Sequence, residues 1–331
     1  MNEQALVFGC EGEHLLAVLT PPAPDAPAAA ALADVGVVII VGGPQYRAGS
    51  HRQYVQLARS LGGHGVTALR FDARGMGDSS GAQRTLEEIE PDVGAAIDAL
   101  QAARPAVRRV VLWGLCGGAS AALLYWRLTQ DPRVHGMVLV NPWVRSAESL
   151  ARTHLKHYYL KRLGQRAFWA KLLSGQVARK AIADLVHNVR LARGGGSAQA
   201  SAAQSPSLGL AAAAARKVDG DAGRPLQLRM AQAWHHHPGP KLVVLSGNDY
   251  TAKEFADIAA SDAQWRANLA QANVSRFDVE GADHTFSDPS AQRAVEERTF
   301  SWLLQSLAAG QQAATHTDSA ALASQQTSSV S

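Results

Sequence analysis

The sequence predicts an α/β fold in which a mostly parallel, doubly wound sheet carries an inserted helical cap. Three observations lead there. Short, continuous, β-branched apolar runs recur along the 331 residues; stretches of helical spacing lie between them; and the alternation breaks off once, after Asn141-Pro142, to resume at Lys241. Continuous apolar runs suit strands buried on both faces, and strand alternating with helix builds a parallel sheet covered on both sides.

The apolar runs occupy 37–41, 67–71, 110–113, 137–140 and 242–245. Between them, Tyr54-Val55, Leu57-Ala58 and Leu61 share one helical face, as do Val93, Ala96-Ile97 and Leu100; residues 119–128 form a third such stretch. Residues 143–240 lack the strand pattern and read as helices over 147–163, 166–191 and around 225–234. The expected division is therefore a core of residues 1–142 and 241–307 with a cap of 143–240. Within the cap, 194–223 is rich in Gly, Ala, Ser and Gln and short of large apolar groups, so it is expected to be mobile; the tail 308–331 is expected to be disordered for the same reason.

Composition narrows the function. Apolar residues make up 47% and charged residues 18%, enough for a buried sheet. The formal charge of +4, from 32 basic against 28 acidic residues, gives no ground for nucleic-acid binding. Only residues 145–190 are locally basic, with ten Lys or Arg against two acids. Two cysteines without paired spacing, Cys10 and Cys116, offer neither a disulfide framework nor a structural zinc site, and point to a reducing, cytoplasmic compartment. The start Met1-Asn2-Glu3-Gln4 lacks the basic-then-apolar pattern of a secretory signal, and no apolar run has membrane-spanning length. Oligomeric state leaves no mark on the sequence.

The most specific motif is Trp113-Gly114-Leu115-Cys116-Gly117-Gly118, between a strand and a helix. Gly-x-nucleophile-x-Gly is the pattern of a nucleophile elbow, whose flanking glycines avoid collision in a tight turn. Such a turn sets Cys116 at a helix N-terminus, where the dipole favours the thiolate. The competing reading is a small core cysteine beside a turn. An elbow enzyme needs a base and an acid in the order nucleophile, acid, histidine. His284, after the alternating run 274–279, is the candidate base, and Asp249, after the run 242–245, the candidate acid, unless it is a turn aspartate following Gly247-Asn248. Asp283 is a weaker candidate for the acid. Candidate oxyanion donors are the amide of Gly117 and one from the loop Gly42-Gly43-Pro44-Gln45; Pro44 has no N–H, which leaves Gly43 or Gln45, and loop position favours Gln45. The cluster His235-His236-His237 reads as a solvated helix end rather than a metal site, and 70–79 as a structural turn.

With these parts in order, the chain resembles the α/β-hydrolase superfamily from about Gln4 to Leu307. Three stretches, residues 41–52, the elbow 113–116 and 245–249, are similar to one bacterial subfamily, the exosortase A system-associated hydrolases of type 1. The resemblance implies the α/β-hydrolase fold and a cytoplasmic hydrolase connected with exopolysaccharide and exosortase systems. The chemistry expected is hydrolysis or transfer of an ester or thioester acyl group by Cys116, His284 and Asp249, without metal or organic cofactor. The expected substrate is a small-molecule or carrier-linked acyl compound, and the basic cap, where it is not merely a solvated face, suggests an anionic one. The alternative is a non-catalytic, hydrolase-like binding or scaffold protein of the same system.

Overall fold

The computed structural model describes residues 3–26, 30–43, 45–144 and 224–308. The two long cap helices expected over 147–163 and 166–191, the basic segment, the stretch 194–223 and the tail beyond residue 308 lie outside the described residues.

Eight strands form one sheet: β1 (Gln4–Cys10), β2 (Glu13–Thr20), β3 (Val35–Ile40), β4 (Thr67–Phe71), β5 (Arg109–Leu115), β6 (Val134–Val140), β7 (Lys241–Ser246) and β8 (Val274–Val279). Their order is β1-β2-β4-β3-β5-β6-β7-β8. The β1–β2 and β2–β4 pairs are antiparallel and all the others parallel. This is the α/β-hydrolase fold. Every residue of β3, β4 and β7 is buried, which explains their mainly apolar sequences. Burial alternates along the β1–β2 hairpin, because one side of it is more exposed.

Seven helices follow the strands among the described residues: α1 (Gln53–Gly63), α2 (Glu90–Ala103), α3 (Gly117–Thr129), α4 (Leu226–His236), α5 (Tyr250–Ser261), α6 (Ala263–Leu269) and α7 (Pro289–Leu303). The period of two along β3 sorts them. Val38 and Ile40 face a layer containing α2 to α6, whereas Val37 and Ile39 face α1 and α7. Helix α4 lies in the stretch that the sequence assigns to the cap, yet Met230 and Trp234 are fully buried in the sheet's own core cluster. Trp234 meets Trp265 of α6 edge-on at 5.6 Å.

The turn after β4 is held by buried charge. Arg74, 2% exposed, donates from Nε and Nη2 to the carboxylate of Asp92 on α2 at 2.7–3.1 Å, and Asp92 also accepts the Arg74 amide at 2.7 Å. Asp72 accepts the amides of Arg47 at 2.6 Å and Asp78 at 3.1 Å and pairs with the Arg47 guanidinium, so the loop after β3 is fastened to the turn after β4. The segment 70–79 is scaffold, as its turn residues suggest. Asp92→Ala removes the buried partner of Arg74 and leaves the guanidinium only Glu11 at the surface and the Glu88 carbonyl, so it is expected to lower the unfolding free energy in urea titrations by about 3 kcal/mol, the low end for a broken buried pair. The double replacement Arg74→Met/Asp92→Leu, which leaves no buried charge, is expected to cost less.

Candidate active site

Strand β5 delivers Cys116 into a turn at φ 57° and ψ −120°, immediately before α3. A positive φ at a side-chain-bearing residue is strained and persists only where its surroundings force it. Backbone contact supplies the force here. A Cβ on Gly114 would lie 2.3 Å from Gly118 backbone atoms, one on Gly118 2.3 Å from the Ile40 carbonyl oxygen, and one on Gly42 2.4 Å from the Leu115 carbonyl oxygen. The end of β3, the elbow and the first turn of α3 therefore meet main chain to main chain. The Cys116 amide donates to Val140 O at 2.9 Å, and its carbonyl accepts from Ala119 N and Trp143 N. Cys116 is partly exposed.

Asp249 follows β7 and caps α5, its two carboxylate oxygens accepting the Thr251 and Ala252 amides at 3.2 and 2.9 Å. The same carboxylate accepts from His284 Nδ1 at 2.9 Å, across 35 positions of sequence. The Cys116 side chain lies close enough for its field to act on the His284 ring. Cys116, His284 and Asp249 are thus grouped at the C-terminal edge of the parallel strands. Asp249 is both the turn residue and the partner of His284, so the two sequence readings of it are compatible.

Burial opposes charge on the His284 ring, but the hydrogen bond to Asp249 and the influence of Cys116 outweigh it, raising its pKa to about 10. Burial likewise opposes the Asp249 carboxylate, and the bonds from His284 and the two amides hold its pKa below the ordinary aspartate value. Asp283 is turned away onto the amides of Thr285 and Ser287, where it organises the loop.

The amide of Gly43 lies 3.6 Å from where a Gly117 Cβ would stand, so these two candidate donors are adjacent. Gln45 differs from the expectation. Its amide donates to Gly43 O at 2.7 Å, closing a tight turn, and is not available to an oxyanion. Pro44 lies outside the described residues.

Two contributors escape sequence reading. Tyr54, fully buried on α1, donates from its hydroxyl to Gln45 Oε1 at 3.5 Å, and burial and the nearby Cys116 raise its pKa. Asn141, buried at φ 44°, donates from Nδ2 to Ser246 Oγ at 2.8 Å and His284 O at 3.2 Å and accepts the Ser246 amide at 2.8 Å, tying the ends of β6 and β7 to the histidine loop. In the histidine cluster, His235 and His236 are exposed, but His237 is buried against the Trp126 ring at 5.0 Å rather than solvated. No group of residues able to hold a metal occurs among the described residues, and none of the described helices is long and apolar enough to cross a membrane.

A cavity of about 250 Å³ opens beside Cys116, between Gly43 and Gly117 on one side and Met76, Leu86, Ile89 and Trp143 on the other.

Solved structures similar to this chain share its fold. Est1E from Butyrivibrio proteoclasticus, with ferulic acid bound, is 18% identical over 92% of this chain and all of its own, with a TM-score of 0.58. The esterase Pf2001 of Pyrococcus furiosus is 14% identical over 92% of this chain and 91% of its own, at 0.56. XC6422 from Xanthomonas campestris, an α/β serine hydrolase without a lid, is 15% identical over 93% and 96%, at 0.51. No curated protein matches the chain significantly. Residues 34–202, from β3 through the elbow, match the family of serine aminopeptidases, S33. The chain belongs to the S33 serine aminopeptidase family of α/β hydrolases.

Proposed function

We propose that the protein hydrolyses an ester or thioester with Cys116 as nucleophile, His284 as proton carrier and Asp249 as the group that orients His284. The observation that carries this reading is the grouping of three side chains, with His284 Nδ1 2.9 Å from Asp249 and Cys116 near enough to act on the same ring. The family takes its name from serine, and a cysteine at the strained elbow position is where this chain departs from that name.

The Cys116 thiolate forms a bond to the acyl carbon, and the carbonyl π pair moves onto oxygen. The amides of Gly117 and Gly43 stabilise that oxyanion; Gln45, with its amide engaged, is left out. Collapse of the tetrahedral species expels the alcohol or thiol, which takes its proton from the His284 imidazolium. Neutral His284 then removes a proton from water as the water attacks the acyl-cysteine, and the thiolate leaves. Asp249 stays ionised throughout and fixes the ring with Nδ1 protonated.

The resemblance of residues 41–52, 113–116 and 245–249 to the exosortase A-associated hydrolases supports a place in the cytoplasm beside surface-polysaccharide systems.

Cys116→Ala is expected to abolish turnover of 4-nitrophenyl and thioester acyl substrates, and Cys116→Ser to keep at most part of it, because the shorter C–O bond withdraws the nucleophile from the acyl carbon. Asp249→Asn keeps one acceptor oxygen for the α5 cap in place of two, and should cost less than His284→Ala and less than the ~10⁴-fold that the same change costs a serine triad. Steady-state rates decide both; an active Cys116→Ala would place the chemistry elsewhere.

The raised His284 pKa gives a second expectation. With the imidazolium retained up to about pH 10, kcat/KM is expected to fall as pH climbs through that value. Stability follows the same sign: a folded-state pKa above the unfolded 6.5 contributes fully below pH 6.5 and is lost as pH rises through about 10. Denaturation of wild type and His284→Ala across that window should converge at its alkaline end.

A further inference from the structure

The cavity beside Cys116 is divided in character. Its polar side chains, Gln83, Arg84 and Thr85, are consecutive in the stretch before α2, while Met76, Leu86 and Trp143 supply apolar wall. Arg84 is the one charged side chain lining it among the described residues. The acids nearest in sequence are engaged elsewhere: Glu87 pairs with Arg229 at 2.6 Å, and Glu88 turns back onto the Thr85 amide and hydroxyl at 3.0 and 2.9 Å. Arg84 makes no hydrogen bond with a described carboxylate, although its charge helps to lower the Glu88 pKa from a distance, and its Nε is buried without an acceptor among the described residues. A guanidinium in an apolar wall, with its local acids satisfied by other groups, is a binding group for an anion from outside the chain.

The position of the cavity assigns the part of the substrate. Cys116, Gly117 and Gly43 line it, whereas His284, which hands its proton to the leaving group, is not among its walls. The cavity therefore receives the acyl portion. Its volume of about 250 Å³ lies below the usual range for drug-sized ligands, so that portion is short. A guanidinium fork fits carboxylate and phosphate alike, but its single charge balances a carboxylate and leaves most of a second charge on a phosphate uncompensated.

We propose that the cavity is an acyl subsite for short dicarboxylic half-esters or half-thioesters, with Arg84 holding the distal carboxylate. The proposal rests on the acyl chemistry assigned to Cys116 above, and its test separates the two. Full-length wild type, Arg84→Met and Arg84→Lys are assayed with mono-4-nitrophenyl adipate and 4-nitrophenyl hexanoate, esters of equal chain length that differ in the terminal carboxylate. The adipate-to-hexanoate ratio of kcat/KM is expected to exceed unity in wild type, to fall by about tenfold in Arg84→Met, and to be partly restored in Arg84→Lys. Calorimetry with adipamate and hexanamide, which do not react, reads the subsite without turnover. Tighter binding of adipamate that is lost in Arg84→Met upholds the subsite even if neither ester is cleaved, in which case the hydrolytic reading alone fails. An unchanged ratio in Arg84→Met, or equal binding of the two amides to wild type, overturns the subsite.

Discussion

Everything at the site depends on one backbone constraint, the close approach of the β3 end, the elbow and the first turn of α3. Three glycines permit it, because at Gly42, Gly114 and Gly118 a Cβ would come within 2.3–2.4 Å of main-chain atoms. No rotamer change relieves a clash between a Cβ and a carbonyl, so the contact admits no side chain at these positions. The same contact holds Cys116 at φ 57° and brings the Gly43 and Gly117 amides together. Nucleophile strain and oxyanion geometry are thus two results of a single packing event.

The other half of the proposed triad reaches the elbow through hydrogen bonds instead of main-chain packing. Asn141 holds the histidine loop by its carbonyl, and Asp249 is itself held by the α5 amides before it meets His284. Asp249 is therefore preorganised: its carboxylate already has two fixed donors and moves little when the ring changes charge. The rigid elbow and the bonded loop meet where Asp249 and Cys116 both favour protonation of the His284 ring.

Legibility in the sequence follows the range of the interactions. The elbow is readable because its requirement for small residues is local, at Gly114 and Gly118, and the buried strands because burial on both faces writes an unbroken apolar run. Asp249 and His284 are readable as positions after strands, and their contact required the sheet to be closed. Tyr54 looks like one more apolar residue of α1; that its hydroxyl reaches Gln45 depends on a helix packed against a loop. Asn141 reads as a strand end before a proline, and its three bonds run to segments more than a hundred residues away. Loop position, which favours Gln45 as a donor, says nothing about where an amide points, and here that amide bonds to Gly43 O. The apolar spacing of α4 fits a cap helix or a core helix equally, and only Trp234 against Trp265 distinguishes them.

The cysteine belongs to this electrostatic setting. A ring whose pKa is raised to about 10 is a poor general base at neutral pH, since it already holds its proton. Cys116 itself contributes to that rise, so a serine at the elbow would leave the ring a better base than it is here. Thiols in general differ from hydroxyls in that they can lose their proton before substrate arrives. Under the proposed mechanism the demand on His284 moves from removing a proton at attack to delivering one at departure. The departure of the leaving group is the step that the Asp249–His284 bond serves most directly, and a leaving group that needs little protonation, such as a thiolate, would make least use of it.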